Sequence, residues 1–244
     1  MVDILSRPQP VPDKREAYGG DPNQFVELRL PRGKGPYPVL LNLHGGYWRA
    51  KYDLSHAGHL CEALRTAGVA TFNVEFRRVG DAGGGWPGTF ADVRSVYRYV
   101  RQEADRFQLD LNRLVVMGHS AGGQLALCLA AHEASLTRAI SLAGVVDLKK
   151  AFALHLSHDA VVEFLGGTPE EVRSTTGKPI RWNSGFRRRG NGWFMAATTI
   201  PCLWGLAATM LRRRKKLARP WIWSRFHSAG TLTSSIRSRQ PSSR

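Results

Sequence analysis

Apolar residues along the first part of the chain follow two rhythms, and the rhythms alternate. Phe25 to Leu30 interleaves apolar and charged side chains, the two-residue period of a half-buried edge strand. Tyr37 to Leu43 (YPVLLNL) is a near-continuous apolar run, as a strand covered on both faces requires. A helical stretch over Leu54 to Thr66 follows, then a second buried strand from Val69 to Phe76. Beyond a Gly-rich loop, Asp81 to Gly88, the spacing of Val93, Val96, Tyr97 and Val100 predicts a helix over Phe90 to Phe107. Arg113 to Met117 reads as a third buried strand, Ala121 to His132 as a small-residue helix, and Ala139 to Val146 as a fourth strand. Such alternation predicts an α/β fold: a mostly parallel sheet flanked by helices, with right-handed crossovers.

A chain of 244 residues is long enough to build one such domain around a sizeable core. Charge alters the picture only at the C-terminal end. The net charge is +16, from 35 basic and 19 acidic residues, yet the last acidic residue is Glu171. Residues 1–171 are balanced, so the whole excess sits in residues 172–244, along with most of the seven Trp. The expected division is a core over 1–171 and an aberrant basic tail over 172–244, disordered or irregular. Cys61, Cys128 and Cys202 are odd in number and set in apolar surroundings, which points to reduced thiols and a cytoplasmic protein. Met1 to Gly20 is polar and Pro-rich without an apolar stretch, so no signal peptide is expected.

Gly118-His119-Ser120-Ala121-Gly122 matches G-x-S-x-G, with a buried strand running into it and a helix starting after it. In that context a sharp turn strains the serine and exposes its oxygen above the C-terminal edge of the sheet. Cβ atoms at Gly118 and Gly122 would collide with neighbouring backbone. The N–H of Ala121, at a helix N-terminus, is then placed to bind a developing oxyanion. His44-Gly45-Gly46-Tyr47-Trp48 directly follows the first buried strand. Paired glycines at that place let backbone approach a substrate oxygen, with Gly46 and Tyr47 supplying the other N–H donors.

From about Gln24 to Glu171 the chain resembles the esterase branch of the α/β-hydrolase family. Within that branch it is most similar to the bacterial carboxylesterase and kynurenine formamidase-like group, which shares the HGGYW and GHSAGG pair. The resemblance implies hydrolysis of a small ester or aryl-formamide through an acyl-enzyme on Ser120. The oxyanion would sit between the N–H groups of Gly46, Tyr47 and Ala121. It further implies no organic cofactor, no metal, and neither a nucleic-acid nor a membrane partner.

A serine hydroxyl needs a histidine to take its proton and a carboxylate to orient that histidine. In this fold the chain order is Ser, acid, His. No acidic residue follows Glu171, and the histidines after Ser120 are His132, His155, His158 and His227. His132 lies on the predicted helix, His155 and His158 in a helical, cap-like segment, and His227 in a Ser/Arg-rich stretch. Asp147 follows the fourth strand and reads as a helix N-cap more naturally than as the acid. His119 reads as a pocket-shaping residue, and His56 with His59, three apart, as surface or packing residues. Trp86-Pro87 is open between a substrate-lining and a structural loop.

The tail has the composition that out-of-frame reading of GC-rich DNA produces. When bases are grouped from the third position of each codon, Ile200 to Arg212 permits Pro-Val-Leu-Val-Gly, three variable residues and Asp-Asp-Val-Pro. In the same frame, Ala229 to Ile236 permits Gly-His-Phe, one variable residue and Glu-Leu-Asp-Pro. These resemble the family's acid loop and histidine loop in the required order. A frameshift is therefore the expected origin of the tail, and the last strands of the fold are expected to be missing or disordered.

Two other readings stand beside it. The clusters Arg187 to Arg189 and Arg212 to Lys216, with interleaved Trp, suit anionic surfaces. The protein would then be a non-catalytic binder on a degenerate hydrolase fold, its tail contacting nucleic acid or anionic membrane. Trp193 to Leu211 is free of charge and has the length, though not the composition, of a membrane span. Resequencing the coding DNA from codon 165 to the stop is expected to recover a frame reading Asp-Asp-Val-Pro and Gly-His-Phe. A confirmed frame that encodes neither motif would refute the frameshift.

Overall fold

Strands form where the apolar runs lie. The computed structural model describes residues 7–176 and 193–197. β2 (Phe25–Arg29), β3 (Tyr37–Leu43), β4 (Ala70–Val74), β5 (Leu109–His119) and β6 (Arg138–Leu142) fall on stretches read as strands. Two more, β1 (Lys14–Ala17) and β7 (Trp193–Ala197), complete a sheet of order β1-β2-β4-β3-β5-β6-β7 among the described residues. β1, β2 and β4 pair antiparallel, whereas β4, β3, β5, β6 and β7 run parallel. This is the mostly parallel α/β architecture that the alternation predicts.

Both faces of the central strands are covered, and side chains alternate between them. On β3, Val39, Leu41 and Leu43 join one cluster with Val93, Val96 and Leu125, contributed by α2 (Gly88–Gln102) and α3 (Ala121–His132). Leu40 faces the opposite way, packing with Met117, Ile140 and Leu64 of α1 (Gly58–Thr66). Asn42, also buried, donates to Asn73 Oδ1 at 2.9 Å across the β3–β4 pair. Asn73 in turn donates to the Leu54 carbonyl at 2.9 Å, tying the 3-10 turn Leu54–Ala57 to the sheet.

Two expectations need correction. Phe25–Arg29 is an interior strand, because β1 lies outside it. The edge strand β1 is polar and largely exposed, so no apolar period announces it. The charged position that suggested an edge, Arg29, is buried instead and donates to the Pro10 carbonyl at 2.7 Å. His155 and His158 lie between α4 (Leu148–Ala153) and α5 (Ala160–Leu165), not in a helix. Positive φ at His155, Ser157, His158 and Asp159 breaks helical geometry there. Within the residues expected to form the tail, Trp193–Ala197 pairs in parallel with β6. Its sequence, WFMAA, is an apolar run whose backbone satisfies the otherwise open edge of β6. A last helix, α6 (Pro169–Thr176), runs across the expected boundary at residue 171.

Phe72 on β4 is fully buried and meets Phe107 edge-on at 6.0 Å. Phe72→Ala is expected to destabilise the domain by about 3–5 kcal/mol, read as a lower urea midpoint. A loss below about 1 kcal/mol would mean that this part of the core is not packed as described.

Candidate active site

β5 ends at His119 and α3 begins at Ala121, which leaves Ser120 alone at φ 52° and ψ −116°. A non-glycine residue held there costs about 1–3 kcal/mol and needs surroundings that enforce it. Its N–H donates to the Leu142 carbonyl at 2.8 Å, and its own carbonyl accepts from Val145 at 3.2 Å and Gln124 at 3.3 Å. The flanking glycines permit the turn. A Cβ on Gly118 would stand 2.1 Å from the Gly122 carbonyl oxygen. One on Gly122 would stand 2.1 Å from the Leu43 oxygen and 2.4 Å from that of His44.

The loop after β3 lies against this turn. A Cβ on Gly45 would come within 3.0 Å of the His119 carbonyl oxygen and 3.3 Å of the Ser120 Cβ. Gly46, Tyr47 and Trp48 then take φ of 115°, 53° and 59° in succession, with Tyr52 packed directly on Gly46. Among the described residues, the amides of Gly46, Tyr47 and Ala121 donate to no protein oxygen. The serine and the three predicted donors are thus carried by two touching loops at the C-terminal ends of β3 and β5, where ligands bind in open α/β sheets.

A buried ionic cluster supports the first loop. His44 stacks on Phe76 at 4.3 Å, and its Nε2 lies 3.0 Å from Glu75 Oε1. Arg78 reaches the same carboxylate at 3.0 Å, pairs with Asp81 at 3.1 Å and donates to the Tyr52 carbonyl at 2.7 Å. A second tie runs outward from the same loop. Arg49 grips Glu163 through two hydrogen bonds, at 2.6 and 2.9 Å, and donates to the Ser157 carbonyl at 2.8 Å. Trp48 stacks on Phe164 at 4.6 Å, and the N–H of Trp86 donates to the Phe164 carbonyl at 2.7 Å. The Trp86 ring packs on Phe90 at 5.3 Å.

The BD-FAE family model matches residues 26–177, more than half of the chain. The chain belongs to the BD-FAE family. Among curated proteins it is similar to Esterase LipC of Mycobacterium tuberculosis, 28% identical over 66% of this chain and 38% of LipC. It also resembles the versiconal hemiacetal acetate esterase of Dothistroma septosporum, 34% identical over 42% of this chain and 30% of that protein. The chain therefore spans well under half the length of these relatives. Of solved structures, a bifunctional GH43-CE protein of Bacteroides eggerthii superposes with a TM-score of 0.62 at 18% identity, covering 74% of this chain and 29% of that one. Apo esterase 2 of Thermogutta terrifontis gives 0.55 at 21%, covering 70% and 68%. At these identities the two structures speak for the fold alone.

Within this BD-FAE chain, no described histidine is hydrogen-bonded to Ser120. His132 turns its Nδ1 back onto the Cys128 carbonyl at 2.8 Å, and His155 pairs with Asp159 at 2.8 Å. His119 is exposed beside the serine, and partial desolvation lowers its pKa. His56 is lowered as well, chiefly by burial and then by the neighbouring His44. Among the described residues no group of His, Cys, Asp and Glu is arranged to hold a metal. Asp147 caps α4, accepting from the Lys150 N–H at 2.9 Å. Burial pushes the thiols of Cys61 and Cys128 up to about 12. No described helix is long and apolar enough to cross a membrane. Cys202, His227 and both arginine clusters lie outside the described residues, as does the stretch from Trp193 to Leu211 beyond β7.

Glu75, Arg78, Arg49 and Glu163 escape a motif-based reading. One signal was available: Glu-Phe-Arg-Arg directly follows the buried apolar strand β4, an unusual place for three charges.

Two outcomes follow from this geometry. Gly122→Ala is expected to lower the thermal midpoint markedly, because its methyl group would meet fixed carbonyls. Gly20→Ala, where nothing lies within 4 Å, should leave the midpoint unchanged. Equal midpoints would contradict the close approach at the turn. Arg49 also holds the Glu163 carboxyl below the usual range. The stability this pair contributes is present above the ordinary carboxylate pKa and is lost as pH falls through the depressed one. Glu163→Gln should flatten that acid-side loss in thermal melts, whereas an unaltered pH profile would show the pair to be energetically silent.

Proposed function

We propose that this chain carries the nucleophile half of a serine carboxylic-ester hydrolase. The observation that carries the proposal is Ser120 at positive φ between two glycines, beside three amides that have no protein acceptor among the described residues. Membership of the BD-FAE family and the esterase names of the two curated relatives support the same chemistry. Ser120 Oγ adds to the ester carbonyl carbon while a base takes its proton. The carbonyl oxygen becomes an oxyanion held by the N–H groups of Gly46, Tyr47 and Ala121. Collapse expels the alcohol, which regains the proton, and water then hydrolyses the acyl-enzyme by the reverse sequence. We assign the base and its orienting carboxylate to the histidine and acid loops that the shifted frame permits. The preferred substrate is a short-chain ester, and an aryl-formamide is the finer alternative.

p-Nitrophenyl acetate and N-formyl-kynurenine, assayed side by side, separate the two substrate classes. As it stands, the chain should hydrolyse the ester weakly, and Ser120→Ala should remove that activity while the fold is retained. Restoring the frame should raise kcat by about 10⁴-fold or more, the scale on which incomplete triads lose rate. Undiminished hydrolysis by Ser120→Ala would refute the assignment.

A further inference from the structure

The loop bearing the Gly46 and Tyr47 amides rests on buried charges that packing alone does not require. His44 and Glu75 are each 2% exposed, and Arg78 is 5% exposed. Both nitrogens of the His44 ring face oxygens, Nδ1 the Gly45 carbonyl at 2.7 Å and Nε2 the Glu75 carboxylate at 3.0 Å. A carbonyl can only accept, so Nδ1 carries a proton. The carboxylate already accepts from the Phe76 N–H at 3.1 Å and the Leu54 N–H at 3.1 Å, and it is ion-paired with Arg78 at 3.0 Å. The carboxylate is thus the acceptor offered to Nε2, and both ring nitrogens are placed to donate.

We infer that Glu75 is a positioning residue for the reaction proposed above, and this inference rests on that reading. Glu75 holds His44 as an imidazolium, and His44 aims the Gly46 amide. The link is the peptide plane. In a trans peptide the carbonyl of Gly45 and the N–H of Gly46 point in opposite directions. With the carbonyl held at 2.7 Å by the ring, the N–H is directed away from the ring and to the other side of the loop. The same charged hydrogen bond polarises that peptide and makes its N–H a stronger donor. Arg78 keeps Glu75 in place and, through the Tyr52 carbonyl, fixes the far end of the loop. The His44–Glu75 pair thus acts on the oxyanion without touching it.

The test uses the full chain, ¹⁵N-labelled, with p-nitrophenyl acetate as substrate. Long-range ¹H–¹⁵N spectra at neutral pH should show both His44 ring nitrogens protonated in the wild type, and only one in Glu75→Gln. Glu75→Gln should lower kcat about 10- to 100-fold with KM held within about twofold, short of the 10²–10³-fold cost of losing a donor outright. Glu75→Asp should recover part of the rate, with circular dichroism unchanged in both variants. A singly protonated wild-type ring overturns the inference. So does Glu75→Gln with wild-type kcat, provided that Ser120→Ala has lost activity in parallel. Should Ser120→Ala keep the wild-type rate, the hydrolase reading falls, and the positioning role falls with it. If Glu75→Gln does not fold, or turnover is too slow to compare, the wild-type ring spectrum decides alone.

Discussion

The approach of Gly122 to the carbonyl oxygens of Leu43 and His44 is the contact on which the rest of the site depends. With no Cβ at that position, α3 starts directly against the end of β3, and the two loops after β3 and β5 come together. Gly118 repeats the condition one step earlier, against Gly122 itself. Ser120 is the residue that absorbs the resulting bend, and its positive φ is the local cost. The hydrogen bonds to Leu142 and Val145 spread that cost over β6 and the segment after it. A methyl group at either glycine would push the loops apart and separate the serine from the amides of Gly46 and Tyr47.

Elements whose identity is written in local periodicity were legible in the sequence. β3 and α3 begin and end where their apolar runs do, because each is buried along most of its length. β1 was not legible, since Lys14–Ala17 owes its strand geometry to pairing with β2 and not to any apolar pattern. The turn between α4 and α5 was missed for a related reason. Its left-handed residues are His155, Ser157, His158 and Asp159, and without a glycine among them nothing local announces the geometry. Long-range pairing, which periodicity does not encode, imposes both.

The same division runs through the candidate site. Ser120, Gly46, Tyr47 and Ala121 could be named from two short motifs, because their work is done by backbone geometry that neighbouring glycines dictate. Glu75 could not, because its meaning lies in meeting His44, which is distant in sequence and joined only by the parallel pairing of β3 and β4. The base and acid are of another kind. Among the described residues no histidine is hydrogen-bonded to Ser120, and no local motif in the chain names a base or an acid.

Arg49 sits on the loop that carries the amides, yet its bonds run to Ser157 and Glu163, and Trp48 beside it stacks on Phe164. The segment from α4 to α5 is therefore bolted to the loop after β3. For anyone exchanging parts between family members, the two form one cassette. A segment transplanted without a matching partner for Arg49 would arrive unanchored, and the loop behind it would lose its outer brace.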